Sequence, residues 1–389
     1  MKTSSSGSPP SSGAPRIPPP DRLGRLPEQY FTRLLARVSA AAAEGGDELV
    51  DLGRGNPDVP PPPHVVDALA SAARRDDTHG YAPFAGVPAL KEAIAARYRD
   101  VYGVEIDPAS EVAVLPGTKT CLIEFGQITV ERAATLVLPD PGYPDYRSAA
   151  ALTAAELATL PIGPDGRPKW DAAPAEAAAL YLNYPSNPLA ACAPAGVFAD
   201  AIEWARRTGA WLMHDFAYGD LVFDGRKPAS FLAEDGAREV GIELFSMSKS
   251  YGMAGWRLGF AVGNAELIAR LEDLQNHVFA GVFVPVQEAG IAALTGPQES
   301  VEERRALYEA RRDRVLGVIP HARSEGTFFV WFRLPDGVTC EQLLMEHRVA
   351  LAPGEGFGGR GRGWARLSLA TPDAKLDAGL ERLGRALDG

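Results

Sequence analysis

The segment FSMSKSYGMAGWRLGF, Phe245–Phe260, sets one lysine behind two serines and eight residues ahead of an arginine, among small and apolar neighbours. Lys249 is the only lysine between Lys227 and Lys375. A lysine on an ordinary helix face is solvated and one of several, so a solitary ammonium here needs a local reason. The run IELFSMS (242–248) that leads into it reads as a buried strand, and the same punctuation recurs upstream. EVAVLP (111–116), ATLVLPDP (134–141), ALYLNYP (179–185) and AWLMHDF (210–216) are short apolar runs stopped by polar or turn residues. Helical patterns lie between them: TKTCLIEFGQIT (118–129) and FADAIEWARRTG (198–209), the latter closed by a glycine. Buried strands separated by helices predict an α/β fold, a mostly parallel sheet sandwiched by helices.

In such sheets ligands bind beyond the carboxyl ends of the strands. Those ends carry Gly117, Tyr143, Asn187, Asp215 with Tyr218, and Lys249. After about residue 285 the pattern shifts to a long helix (299–319), then GTFFVWFRLP, CEQLLMEH, RVALAPG and WARLSLA, an α+β layout that predicts a second, smaller domain. The expected division is a disordered tail over 1–20, a small domain from 21–55 plus 286–389, and a large domain over 56–285.

Composition narrows the function. A formal net charge of −11 with no clustered Lys and Arg argues against non-specific binding to nucleic acid or to an anionic membrane surface. The three cysteines are scattered and the six histidines lack metal-ligand spacing, so neither a disulfide framework nor a metal site is expected, and a reducing cytoplasm fits best. The opening MKTSSSGSPPSSGAPRIPPP has the Ser/Pro/Gly composition of a flexible tail without the apolar region of a secretory signal, and no window reads as a membrane span.

A lysine at a strand end among small residues can lose its charge and act as a nucleophile. Taken alone, a lysine bonded to a nearby carboxylate is the ordinary explanation. Its neighbours change that: Ser246, Ser248 and Arg257 offer hydroxyls and a guanidinium suited to a phosphate monoester. Gly117-Thr118-Lys119, at a strand-to-helix turn, adds backbone N–H groups at a helix N-terminus. An imine-forming amine beside a phosphate cradle points to pyridoxal phosphate. That cofactor asks for an acid at its ring nitrogen, a part open to Asp215. It also asks for donors to its ring hydroxyl, open to Tyr218 and Asn187, and an aromatic face, open to Tyr143.

With these residues and LGRGNPD (52–58), YAPFAGVPALKEAI (81–94), LPGTK (115–119), PDPGYPDY (139–146), NYPSNP (183–188), HDFAYGDL (214–221) and WARLSLA (364–370), the chain after its tail resembles the class I/II aminotransferases of the fold-type I pyridoxal-phosphate enzymes. Among them it looks closest to bacterial aspartate-, methionine- and diaminopimelate-type enzymes. The resemblance implies Lys249 as the lysine that binds the cofactor and shuttles protons, Asp215 on the ring nitrogen, and Asn187 and Tyr218 on the ring hydroxyl. It implies Tyr143 stacked on the ring and the phosphate held by the Gly117-Thr118-Lys119 backbone, Ser246, Ser248 and Arg257, with Tyr81 from a partner subunit of a homodimer. Arg366, helped by backbone at Gly55, would bind the carboxylate of amino-acid and keto-acid substrates. Arg54 reads as a solvated loop arginine or as a reader of a distal anionic group.

Two departures stand out. The family's N-P-T-G reads NPLA here (187–190), and its P-G-D turn before TLVLPDPGYP is replaced by VERAA (130–134). The implied activity is transamination by a ping-pong mechanism; the alternative keeps the cofactor for elimination, replacement or oxidation. A ligand-sensing regulator on this fold would need a DNA-binding extension, for which the polar tail is too short.

Overall fold

The computed structural model describes residues 20–387; the tail expected over 1–20 lies, but for Pro20, outside them. A seven-stranded sheet organises the chain, in the spatial order Val112–Leu115, Gly259–Gly263, Gly241–Ser246, Trp211–Asp215, Ala179–Asn183, Thr135–Asp140, Glu156–Pro161. Gly259–Gly263 runs antiparallel to both of its neighbours, and the remaining pairings are parallel. The sheet is therefore mostly parallel, with one reversed strand and the outer strand Glu156–Pro161 that the apolar-run pattern did not isolate. Glu156–Pro161 is exposed over most of its length, as an edge strand is, and so lacks the continuous apolar run that marks the buried strands.

Strands Ala179–Asn183, Gly241–Ser246 and Gly259–Gly263 are buried at every residue because helices cover both faces. Leu180, Leu182 and Leu212 point to one apolar cluster and Tyr181 and Met213 to another, the alternation of a pleated strand. Helix Thr118–Thr129 starts at Gly117 with φ +81°, and helix Val197–Thr208 stops at Gly209 with φ +73°, as its glycine predicts. The pattern PALKEAIAARYRDVYG is helical over Pro88–Arg97, then widens to a π-turn, Tyr98–Tyr102, before Gly103.

The C-terminal part builds a three-stranded antiparallel sheet, Ala352–Pro353 with Trp364–Ser368 with Phe329–Arg333, over a third apolar cluster. Val50–Asp51 pairs in parallel with Val349–Ala350, which brings the N-terminal arm into this part of the molecule. We propose the division into a large and a small unit, with the second crossing between helices Val284–Thr295 and Glu299–Val318 rather than after residue 285. The first of these helices packs on Pro63–Ala72 and Pro88–Arg97, against the large sheet. Among the described residues no helix is long and apolar enough to cross a membrane.

Both departures from the family pattern fall on left-handed backbone. Ala190, at the end of NPLA, has φ +52°, and Ala133, in VERAA, has φ +64°. An alanine there carries the steric cost that glycine escapes, about 1–2 kcal/mol. Ala133 is exposed, so its methyl contributes little packing. Ala133→Gly is expected to raise stability by roughly 1 kcal/mol, read as a higher urea midpoint at unchanged slope; a lower midpoint would show that the turn is not strained.

Candidate active site

The strand ends open into a cavity of about 330 Å³. Six strands share one direction, so their carboxyl ends meet at one edge, and the reversed strand begins where its neighbours finish. Arg257, two residues ahead of Gly259, thus arrives at the edge that carries Ser246, Ser248 and Lys249. Of the residues singled out in the sequence, the cavity is lined by Thr118, Lys119, Tyr143, Asn187, Asp215, Tyr218, Ser246, Ser248, Lys249, Arg257, Gly55, Arg54 and Arg366. Two others lie elsewhere: Gly117 is buried one residue behind the wall, and Tyr81 is 90% exposed on the outer surface. The third strand stops at Asn183, which itself lines the cavity, and Asn187, just beyond it, is tied back by its own N–H on Asn183 Oδ1 at 2.7 Å.

Lys249 Nζ makes no ion pair or hydrogen bond among the described residues, and lies 5.2 Å from the centre of the Phe328 ring and 5.8 Å from that of Tyr218. Burial, reinforced by the Arg366 and Arg257 charges and opposed by Asp215, brings its pKa from 10.5 down to about 8. Asp215 is shifted the other way. Burial pushes its carboxyl up, although the Tyr146 hydroxyl donates to Oδ2 at 2.8 Å and the Ala217 N–H to Oδ1 at 3.2 Å.

Arg366 is 1% exposed, donates from Nη1 to Asn187 Oδ1 at 2.7 Å and from Nη2 to the Gly53 carbonyl at 3.2 Å, and sits 3.8 Å over the Phe329 ring. Its Nε has no partner, and among the described residues no carboxylate pairs with it. Burial lowers its pKa to about 10. A buried guanidinium without a counter-charge is costly, and an anionic ligand would offset that cost.

Gly117 shows how tightly the start of helix Thr118–Thr129 is built. A Cβ on it would fall 2.1 Å from Arg257 Nη2, so only glycine lets that guanidinium lie across the start of helix Thr118–Thr129. Ser246 accepts from the Ser248 N–H at 3.3 Å. Gly55 is similarly confined, with its Cβ position 2.6 Å from the Phe329 ring and 3.6 Å from Arg366 Nη2. Lys119 is the exception: its amine is salt-bridged to Asp145 at 2.7 Å, which leaves the backbone of Gly117-Thr118-Lys119, not this side chain, for an anion. A nucleophilic amine, a buried acid, an anion cradle and an aromatic wall at Tyr143 together fit pyridoxal phosphate.

Residues outside the sequence reading complete the site. Tyr146 lies within PDPGYPDY, but only its distance to Asp215 reveals its part. The Arg304 guanidinium donates to the Ser250 carbonyl at 2.7 Å and to the Pro60 carbonyl at 2.9 Å, bracing the turn that bears Lys249. Arg97 bonds Asp220 and, at 3.0 Å, the Tyr251 hydroxyl, linking the loop after Tyr218 to the loop after Lys249. On the opposite face, Glu243 accepts from Tyr98, Ser230, the Phe231 N–H and His214 Nδ1, locking the neighbouring strands. No local pattern in the sequence marks Arg97, Arg304 or Glu243, because each acts across the chain.

This fold and this site define a fold-type I pyridoxal-phosphate enzyme. The chain belongs to the family of class I and II aminotransferases, whose model matches residues 47–383. It is 42% identical over 379 residues to the L-glutamine–4-(methylsulfanyl)-2-oxobutanoate aminotransferase of Bacillus subtilis (strain 168), spanning 93% of this chain and 95% of that one. It is 36% identical to the LL-diaminopimelate aminotransferase of Moorella thermoacetica (strain ATCC 39073 / JCM 9320), over 94% of this chain and 97% of the relative. The solved substrate-bound BacF structure from Bacillus subtilis superposes with a TM-score of 0.89 at 37% identity, over 95% of this chain and 98% of that one. The protein is thus a pyridoxal-phosphate-dependent enzyme that transfers amino groups.

Two outcomes test the geometry. Gly117→Ala is expected to weaken cofactor affinity by roughly tenfold or more, since alanine at φ 81°, ψ 151°, a backbone region almost exclusive to glycine, costs about 1–3 kcal/mol before the contact with Arg257 is relieved; fluorescence titration of the apoprotein reads it. In the apoprotein, labelling of Lys249 by an amine reagent should rise through a midpoint near pH 8. A midpoint near the ordinary value of 10.5 would contradict the buried setting.

Proposed function

We propose that the enzyme passes an amino group from an amino acid to a 2-keto acid in two half-reactions, as a cytoplasmic homodimer, with Lys249 as base and Arg366 as carboxylate clamp. The observation that carries this reading is the pairing, in one cavity, of a partly neutral amine with a buried guanidinium that lacks an anionic partner among the described residues.

When bound, pyridoxal phosphate supplies a sink for the electron pair left at the substrate's α carbon. Lys249 would hold the cofactor covalently and, once released by the incoming amino acid, would take the α proton at Nζ. Its pKa of about 8 leaves a useful neutral fraction near neutral pH. Asp215 would hold the proton of the ring nitrogen, fixed for that task by Tyr146 and Ala217. Asn187 and Tyr218 would face the ring hydroxyl, with Tyr143 against the ring. The Gly117-Thr118-Lys119 backbone, Ser246, Ser248 and Arg257 would hold the phosphate. Arg366, beside Gly55, would fix the substrate carboxylate, so that the α C–H bond is presented to Lys249.

The homodimer is supported by the outer surface. Tyr81, Phe84, Val278, Phe279 and Phe283 are large apolar residues left exposed. Their two segments adjoin, with the Gly281 Cβ position 3.0 Å from the Pro83 carbonyl and the rings of His79 and Phe283 at 6.1 Å. An exposed apolar patch of this kind marks an interface, and Tyr81 within it would serve the partner's phosphate. A reducing compartment accords with Cys121, Cys192 and Cys340, all unpaired.

Lys249→Ala is expected to lose the visible absorbance of the bound cofactor and to lower kcat by about 10²–10⁴-fold or more; wild-type turnover in that variant would end the assignment. Arg366→Ala should raise KM for the amino acid by roughly a hundredfold, the cost of removing one partner of a buried charge pair. Mixing Lys249→Ala with Tyr81→Ala protein should recover activity that neither has alone, and sedimentation should show a dimer. No recovery, or a monomer, would reject the shared site.

A further inference from the structure

Resting on the aminotransfer reading, we propose that the side-chain compartment of this cavity takes an amino acid with an uncharged apolar side chain, branched aliphatic or aromatic, and that Phe31, Leu34 and Leu35 select it. These residues lie at i, i+3 and i+4 of helix Tyr30–Ala43, on one face, and all three line the cavity. Leu35 is 38% exposed there, an apolar surface left for a ligand to cover. The wall is held in place from both sides. Gln29 Nε2 donates to Asp145 Oδ1 at 2.9 Å and the Tyr30 hydroxyl to the Pro353 carbonyl at 2.8 Å.

Phe31 occupies the corner between the two groups that would orient the substrate. Its ring lies 5.4 Å from the Arg366 guanidinium carbon and 5.9 Å from the Tyr143 ring, stacked on the latter. With a carboxylate on Arg366 and the cofactor beside Tyr143, the side chain of the amino acid leads toward Phe31 and the two leucines, with Phe329 beneath.

The cations argue the same way. A dicarboxylate substrate needs a second guanidinium or ammonium set into that wall. Lys119 is engaged by Asp145 at 2.7 Å, and Arg257 lies at the phosphate end. Arg54 lines the rim but is exposed and makes no ion pair among the described residues. An exposed ion pair contributes little, whereas a carboxylate pressed against Leu34, Leu35 and Phe31 would lose its water without replacement.

The test is calorimetric binding of unreactive carboxylates to the cofactor-loaded enzyme, with single-turnover rates alongside. 4-Methylpentanoate and 3-phenylpropanoate are expected to bind at least about tenfold tighter than succinate and glutarate. Leu35→Ala and Phe31→Ala should each weaken the monoacids by about tenfold and leave the diacids unmoved, while Leu35→Arg should reverse the preference. L-leucine and L-phenylalanine should convert the bound cofactor to its amine form faster than L-aspartate and L-glutamate. Equal or tighter binding of the diacids, or equal losses for both classes in Leu35→Ala, would overturn the proposal and point instead to a cation from the partner subunit or to Arg54. Failure of every amino acid to convert the cofactor would fall on the aminotransfer reading alone, because the binding ratio needs no turnover.

Discussion

The structure depends on a charge imbalance at one sheet edge, where Arg366 is buried, Lys249 half-buried and Arg257 exposed. Lys249, Arg257 and Arg366 face a single cavity in which Asp215 is the one acid among the lining residues, inside a chain whose formal net charge is −11. Desolvation makes this excess of positive charge costly, and two shifts record the cost: the Lys249 amine falls to about 8 and the Arg366 guanidinium to about 10. A phosphate and a carboxylate would supply the missing negative charge, each at its own end. The same imbalance that loosens the proton on Lys249 would therefore attract the ligands that need a neutral amine there.

Holding like charges together requires a frame that does not yield. Six strands of one direction deliver their ends to the edge, and one reversed strand adds Arg257 to it. Buried guanidiniums then tie the loops. Arg304 caps the Ser250 carbonyl, and Arg97 joins Asp220 to Tyr251, so the loops bearing Tyr218 and Lys249 are fixed relative to each other. At Gly117 and Gly55 a Cβ would crowd the Arg257 guanidinium and the Phe329 ring respectively.

The two departures from the family pattern both place alanine on left-handed backbone. Ala133 and Ala190 adopt this backbone without glycine, and the NPLA turn delivers Asn187 to Arg366. A strained turn persists because the surrounding structure over-determines it.

Local chemistry in the sequence was enough for the α/β order, the strand ends and the lysine. Apolar runs stopped by turn residues betray buried strands, and a lone lysine between serines and an arginine has few ordinary explanations. Edge strand Glu156–Pro161 escaped that reading because half-exposed strands lack a continuous apolar run. Tertiary structure alone decided the rest: Tyr146 on Asp215, Asn183 holding Asn187, Arg97 and Arg304 behind the loops, and an arm helix facing Phe31, Leu34 and Leu35 into the cavity. Each of these is a contact between residues tens to hundreds of positions apart or across a turn, and it follows from how strands pair and helices pack, a property that no short stretch of residues carries.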